Sequence, residues 1–133
     1  MLKKILFFVL LFSSLSVATV KHIFATPEAF KNLKVIDIRT PAEWRETGII
    51  KGSYTLMFFD EKGQYDVMKF IKRLDKIVKK GEKFALVCRT GSRTGMVSEF
   101  LAKDLGYNVV DLKGGLVKLV KDGYKTSPYM LKR

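Results

Sequence analysis

The sequence predicts an α/β domain built on a mostly parallel sheet, and three observations carry that reading. Short apolar runs alternate with longer stretches at helical spacing, as βαβ units require. Phe84-Ala85-Leu86-Val87 is apolar without alternation, the pattern of a central parallel strand covered on both faces. Two helix starts, Thr26-Pro27-Glu28 and Thr40-Pro41-Ala42-Glu43, each follow a strand-like run with a capping hydroxyl, a proline and an acid.

The chain has 133 residues, enough for one domain with its own core. Its first 18 residues read as a separate segment. Lys3 and Lys4 precede an apolar run from Ile5 to Leu15, broken only by Ser13 and Ser14, and Ser16-Val17-Ala18 supplies small residues before a cut. That is the three-part pattern of a secretory signal, with cleavage after Ala18 and a mature domain over 19–133. The run is short for a membrane span, which needs roughly 20 residues, so the mature chain is expected to keep no stable span. The expected setting is export, with a bacterial periplasm as the compartment.

The net charge is +12, and the mature chain stays strongly basic without Lys3 and Lys4. Such a balance favours anionic neighbours. The lysines are spread along the chain, as on a solvated basic surface, and export argues against nucleic acid as a partner. Cys88 is the single cysteine, so no internal disulfide is expected.

Taken in order, Lys21 to Phe24 is a strand, followed by the Thr26-Pro27 helix start. His22, the only histidine, reads as a surface or strand residue. Lys34 to Arg39 is a buried strand that places Asp37 and Arg39 on one side. A charge at the end of a buried strand needs a partner, so Asp37 and Arg39 are expected to pair, with Glu43 as a third member. Trp44, the sole tryptophan, is expected to pack on the sheet. Gly48 to Gly52 is a turn into a third strand, Ser53 to Met57, with Phe58 and Phe59 as core. From Asp66 the residues Val67, Phe70, Ile71, Leu74, Ile77 and Val78 mark an amphipathic helix of about four turns, ended by Lys79-Lys80-Gly81. A helix through Met96, Val97, Phe100, Leu101 and Leu105 stops at Gly106. Asn108 to Leu112 is the last strand, Gly114-Gly115 opens a short helical stretch through Val120, and Lys125 to Arg133 has little pattern.

Cys88 ends the central strand, at the carboxyl edge where parallel sheets bind ligands. The strand gives way there to a helix, whose free N–H groups and positive dipole end favour a thiolate over a thiol. Arg89 and Arg93 add positive charge, while Thr90, Ser92 and Thr94 offer hydroxyls. Gly91 lets successive N–H groups curl inward as an anion-binding nest. The cradle suits a phosphate-like oxyanion, a thiosulfate or a persulfide. Spacing helps to choose. A cysteine-dependent phosphatase loop places arginine six positions after the cysteine, to grip phosphate bidentately. That position is Thr94, with Arg93 one residue earlier. The smaller nest fits an outer sulfur atom better than a full phosphoryl group, which leaves a phosphatase or arsenate reductase as the weaker reading.

Four motifs in order then resemble the rhodanese family of single-domain sulfurtransferases. Cys88-Arg89-Thr90-Gly91-Ser92-Arg93-Thr94 resembles its active-site loop, and Asp37-Ile38-Arg39 with Pro41-Ala42-Glu43-Trp44 its Asp-x-Arg and acidic-aromatic segment. Gly48 to Ser53 resembles its Gly-His-Ile-Pro-Gly-Ala turn, and Leu112-Lys113-Gly114-Gly115 its final glycine pair. The match spans essentially the whole mature chain, and the architecture is similar to exported members of the periplasmic phage-shock type. Two departures bear on partner or substrate: Ile49 and Lys51 stand where histidine and proline are usual, and Leu116 to Lys118 lack a common tryptophan.

The resemblance implies a three-layer rhodanese-like fold, with a mostly parallel five-stranded sheet and helices on both faces. It implies a catalytic Cys88 that takes a sulfane sulfur from a small anionic donor such as thiosulfate. Residues 89–94 hold the sulfur and the donor, Asp37 and Arg39 form a supporting ion pair, and a thiol or cyanide accepts the sulfur. No metal or organic cofactor is implied. The alternative is a sulfur carrier that loads Cys88 but delivers only to a dedicated redox or sulfur-acceptor protein.

Overall fold

A computed structural model describes residues 18–130. Apart from its last position, Ala18, the expected leader lies outside the described residues, as do Leu131 to Arg133. Ten elements alternate: β1 (Val20–Phe24), α1 (Pro27–Phe30), β2 (Lys34–Asp37), α2 (Pro41–Thr47), β3 (Tyr54–Thr55), α3 (Val67–Leu74), β4 (Lys83–Val87), α4 (Ser92–Lys103), β5 (Asn108–Lys113) and α5 (Gly115–Lys121). The five strands lie in the order β1-β5-β4-β2-β3, and every neighbouring pair is parallel. The α/β fold read from the sequence is therefore present, with β4 in the middle of the sheet. No helix among the described residues is long and apolar enough to cross a membrane.

Successive strand residues point to opposite faces, which divides the core in two. On one face Ile36, Phe84, Leu86, Cys88 and Val109 pack with Phe70 and Leu74 of α3 and Val97 and Leu101 of α4. On the other, Val35, Ala85, Val87, Val110 and Leu112 pack with Ala25, Ile50, and Leu116 and Leu119 of α5. The unbroken apolar run of β4 is explained by these two layers. Cys88 continues the parity of Phe84 and Leu86, so its side chain belongs to the α4 face.

Helices α1 and α2 start as their sequences predict. Thr26 and Thr40 cap them, each with proline in the first turn, and Thr40 and Glu43 close a reciprocal capping box. Four elements are shorter than their patterns suggest: β2 stops at Asp37 ahead of Arg39, α4 stops at Lys103 ahead of Leu105, and β3 and α3 fall further short. The ladder of β3 is confined to Tyr54–Thr55, although Leu56 and Phe58 still donate to the carbonyls of Asp37 and Ile38 alongside β2. Helix α3 ends at Leu74, short of four turns, because the backbone tightens there: the N–H groups of Lys76 and Ile77 reach back only three residues, to Arg73 and Leu74. Val78 is still buried and Ile77 still packs on the core, which is why both followed the apolar periodicity.

The patternless tail has a structural place. Ser127 and Ile49 form an antiparallel bridge, and the Tyr129 ring lies 5.3 Å from that of Trp44. Trp44 is buried, but its ring meets this tail segment and belongs to neither of the two clusters on the sheet faces. The departures in the Gly48 turn meet the same region: Ile49 pairs with Ser127, and the Lys51 N–H donates to the Tyr124 hydroxyl.

Candidate active site around Cys88

β4 delivers Cys88 to the carboxyl edge at the centre of the sheet. The residue is 1% exposed, and its sulfur is met from the loop that follows. The Gly91 N–H donates to Sγ at 3.2 Å, and the Thr94 hydroxyl lies 3.5 Å from it. Thr94 is fully buried, and its hydroxyl also reaches the Gly91 carbonyl at 3.3 Å. Gly91 adopts φ 94° as the N-cap of α4 and makes no side-chain cap. The first-turn N–H groups of α4 lack intrahelical partners, so the helix starts as an anion-binding end with the thiol beside it. Arg89, Thr90 and Ser92 are exposed, and the Thr90 and Ser92 hydroxyls bond each other at 3.1 Å.

A second helix start fixes the other side of the loop. The Leu116 and Val117 N–H groups of α5 donate to the carbonyls of Cys88 and Arg89, both at 3.0 Å. Those two carbonyls are thereby held by α5, while the Gly91 N–H of the same loop faces the sulfur. The approach is close enough to require glycine. A Cβ on Gly115, which sits at φ +62°, would lie 2.5 Å from the Arg89 carbonyl oxygen. A Cβ on Gly91 would lie 2.9 Å from the Gly114 nitrogen. Gly114-Gly115 was legible only as a motif. Its function as the clamp of the Cys88 loop rests on backbone contacts that no side-chain pattern encodes.

The charged residues divide. Arg39 and Asp37 are 1% and 0% exposed and are joined through Nε and Nη2, with Nη2 to Oδ2 at 2.9 Å. Arg39 also donates to the Gly48 carbonyl and the Thr47 hydroxyl, which ties β2 to the end of α2. Glu43 does not join that pair. It takes Arg93 bidentately at 2.7 and 2.8 Å, linking α2 to the first turn of α4. The Arg93 guanidinium holds the Glu43 carboxyl below its ordinary range, and Glu43 raises Arg93 in turn. The two loop arginines differ in their surroundings: Arg93 is engaged by Glu43, and Arg89 makes no side-chain hydrogen bond or ion pair among the described residues.

His22 is more than a lone strand residue. Its Nδ1 lies 2.6 Å from Asp111 and its Nε2 2.6 Å from Glu99, joining β1, β5 and α4. The Asp111 hydrogen bond, and then that of Glu99, raise its pKa above the ordinary value. Register places His22 beside Asp111, a pairing invisible in the sequence because the partners are 89 residues apart.

Two concavities flank the loop. One, of about 370 Å³, is lined by His22, Thr90, Gly91, Asp111, Lys113 and Gly114. The other, of about 710 Å³, runs from Arg39, Thr47 and Arg89 along α5 to Tyr124 and Thr126. The cleft between Leu56–Phe58 and α3 contains no residue of the Cys88–Thr94 loop.

With this geometry in view, the rhodanese-like domain model matches residues 20–122. Among solved structures, a rhodanese-related protein from Thermoplasma volcanium is 25% identical, with 77% of this chain and 87% of that chain covered and a TM-score of 0.52. A rhodanese-like domain protein from Staphylococcus aureus is 20% identical over 82% of this chain and 98% of that one, with a TM-score of 0.54. A rhodanese-like domain from an Anabaena protein is 18% identical over 76% and 69%, with a TM-score of 0.56. The last two similarities concern the fold alone. Among curated proteins no sequence matches this chain.

Proposed function

Because the chain belongs to the rhodanese-like domain family, we propose that it is a sulfurtransferase that carries a sulfane sulfur on Cys88. The observation that supports this most is the Cys88 sulfur at the carboxyl edge of the central strand, with the Gly91 N–H donating to it at 3.2 Å. The Cys88 thiolate attacks the outer sulfur of a donor such as thiosulfate. The new S–S bond forms as the old one breaks, and the electron pair leaves on sulfite. The resulting persulfide keeps its negative charge among the loop N–H groups, with the Thr94 hydroxyl beside the inner sulfur. Arg89 supplies the open cation for the approaching anion. A thiolate or cyanide then attacks the outer sulfur and restores the Cys88 thiolate, a two-step covalent transfer. The leader pattern of residues 1–18 supports an exported setting for this exchange.

One observation favours the carrier reading. Cys88 is 1% exposed, so a protein acceptor that opens the loop would have privileged access to its sulfur. Intact mass after incubation with thiosulfate tests both readings. A gain of one sulfur atom in the wild type and none in Cys88→Ser is expected. Discharge by cyanide then identifies the enzyme, whereas a persulfide that cyanide leaves in place identifies the carrier. No gain of sulfur from thiosulfate or from a hydropersulfide would overturn both.

A further inference from the structure

The groove beside the loop is large for thiosulfate. At about 710 Å³ it lies within the roughly 300–1,000 Å³ of pockets that hold drug-sized molecules. Its floor is apolar: Leu116, Val117, Val120 and the ring of Tyr124. Val117 and Val120 are each 49% exposed on successive turns of α5. Its rim is cationic, with Arg89 at the loop and Lys121 and Lys125 at the far end. None of these three cations pairs with an acidic side chain among the described residues. The floor is also bonded to the chemistry, since the Leu116 and Val117 N–H groups hold the carbonyls of Cys88 and Arg89.

Apolar floor and unpaired cationic rim together call for a molecule with a greasy body and a negative group. Resting on the sulfurtransferase reading, we infer that the acceptor is a small organic thiol of that kind, with its body along α5 and its anion at Lys121 and Lys125. The thiolate end then lies at the Arg89 end of the groove, next to the loop that carries Cys88. The acceptor thiolate attacks the outer sulfur of the Cys88 persulfide. An S–S bond forms to the acceptor as the Cys88 S–S bond breaks, and the electron pair returns to the Cys88 thiolate. The acceptor leaves as a hydropersulfide anion, so charge and electrons balance with no oxidant or reductant.

Two measurements on the full chain test this, the first independent of any sulfur chemistry. Calorimetric titration compares hexane-1-sulfonate with methanesulfonate and hexylammonium. Saturable binding of hexane-1-sulfonate at least tenfold tighter than either is expected. Val120→Asp, and the double variant Lys121→Glu/Lys125→Glu, should each weaken it at least fivefold, with thermal unfolding checking that both variants are folded. Equal affinity for hexylammonium, no saturation, or binding of an acidic peptide without binding of hexane-1-sulfonate would overturn the inference. The second measurement discharges the thiosulfate-loaded wild type with 6-mercaptohexane-1-sulfonate and with 2-mercaptoethanol. A KM at least tenfold lower for the former is expected, and equal KM values would overturn the inference while leaving the sulfurtransferase reading intact. Failure of thiosulfate and a hydropersulfide to load Cys88 would remove that reading, and the sulfonate titration would still decide what the groove binds.

Discussion

Helices α4 and α5 begin alike and are used in opposite ways. Each follows a strand of the sheet centre, and each is capped by a glycine in the left-handed region, Gly91 at φ 94° and Gly114 at φ 82°. Neither has a side-chain cap, whereas α1, α2 and α3 are capped by Thr26, Thr40 and Asp66. A side-chain cap consumes an N–H group that a helix start could otherwise offer to a ligand. At α4 the glycine start keeps these donors beside the Cys88 sulfur. At α5 the donors are given to the Cys88 and Arg89 carbonyls. One helix start borders the candidate site, and the other holds the backbone of its loop.

The largest expected effect breaks the second start. Gly115→Ala drives a Cβ to within 2.5 Å of the Arg89 carbonyl, so the loop must shift. Sulfur transfer should fall at least about 100-fold, the scale of losing an aligned oxyanion donor. Gly123→Ala is the control: its φ of +99° carries a similar backbone penalty, roughly 1–2 kcal/mol, but no atom lies within 4 Å of the new Cβ. It should lower the melting temperature and leave the rate of persulfide formation near wild type. Equal rates for the two variants would show that the clamp at α5 is dispensable.

A smaller effect tests the α4 side. Thr94→Val removes the hydroxyl 3.5 Å from Sγ and should slow persulfide formation about fivefold, in keeping with roughly 1 kcal/mol for one hydrogen bond. Glu43→Gln weakens the tie between α2 and α4. The pair is partly exposed, at 27% for Arg93 and 21% for Glu43, so less than about 1 kcal/mol of stability should be lost. The freed Arg93 should also lower the KM for thiosulfate, and an unchanged KM would assign Arg93 a purely bracing role.

The smallest effect is on pH. His22 is raised above 6.5 by Asp111 and then Glu99, so the stability it contributes is present in full below about 6.5 and is lost as pH rises through its folded value. Glu43 is lowered below 4.5 by Arg93, so its contribution is present above about 4.5 and is lost as pH falls through its folded value. The melting temperature should therefore be highest between these limits, and His22→Gln should flatten the alkaline side.

What could be read from the sequence follows from the distance over which each feature is encoded. The unbroken run Phe84 to Val87, the Thr-Pro helix starts and the loop from Cys88 to Thr94 are local, so their residue types sufficed. The arrangement of Asp37 with Arg39 was legible for the same reason, since the partners are two residues apart in the chain. Glu43 and Arg93 are 50 residues apart, and only the packing of α2 against α4 joins them. Glu43 therefore looked like a neighbour of Arg39, when it holds an arginine of the loop. The length of α3 was overread because Ile77 and Val78 enter the core from a turn, and apolar periodicity does not distinguish a turn from a helix there. The clamp at Gly115 is a contact between backbones, which leaves no signature in residue chemistry beyond the glycine itself.

Trp44 is the only tryptophan, and it sits under the tail with the Tyr129 ring 5.3 Å away. The molecule thus contains its own optical reporter for one contact. Tyrosine absorption at Tyr129 feeds Trp44 emission while the tail is docked. Release of residues 126–129 would lose that transfer and let water reach the indole, shifting its emission to the red. Because the same tail bridges Ile49 and contacts the turn after α2, the colour of a single fluorophore reports whether this corner is docked.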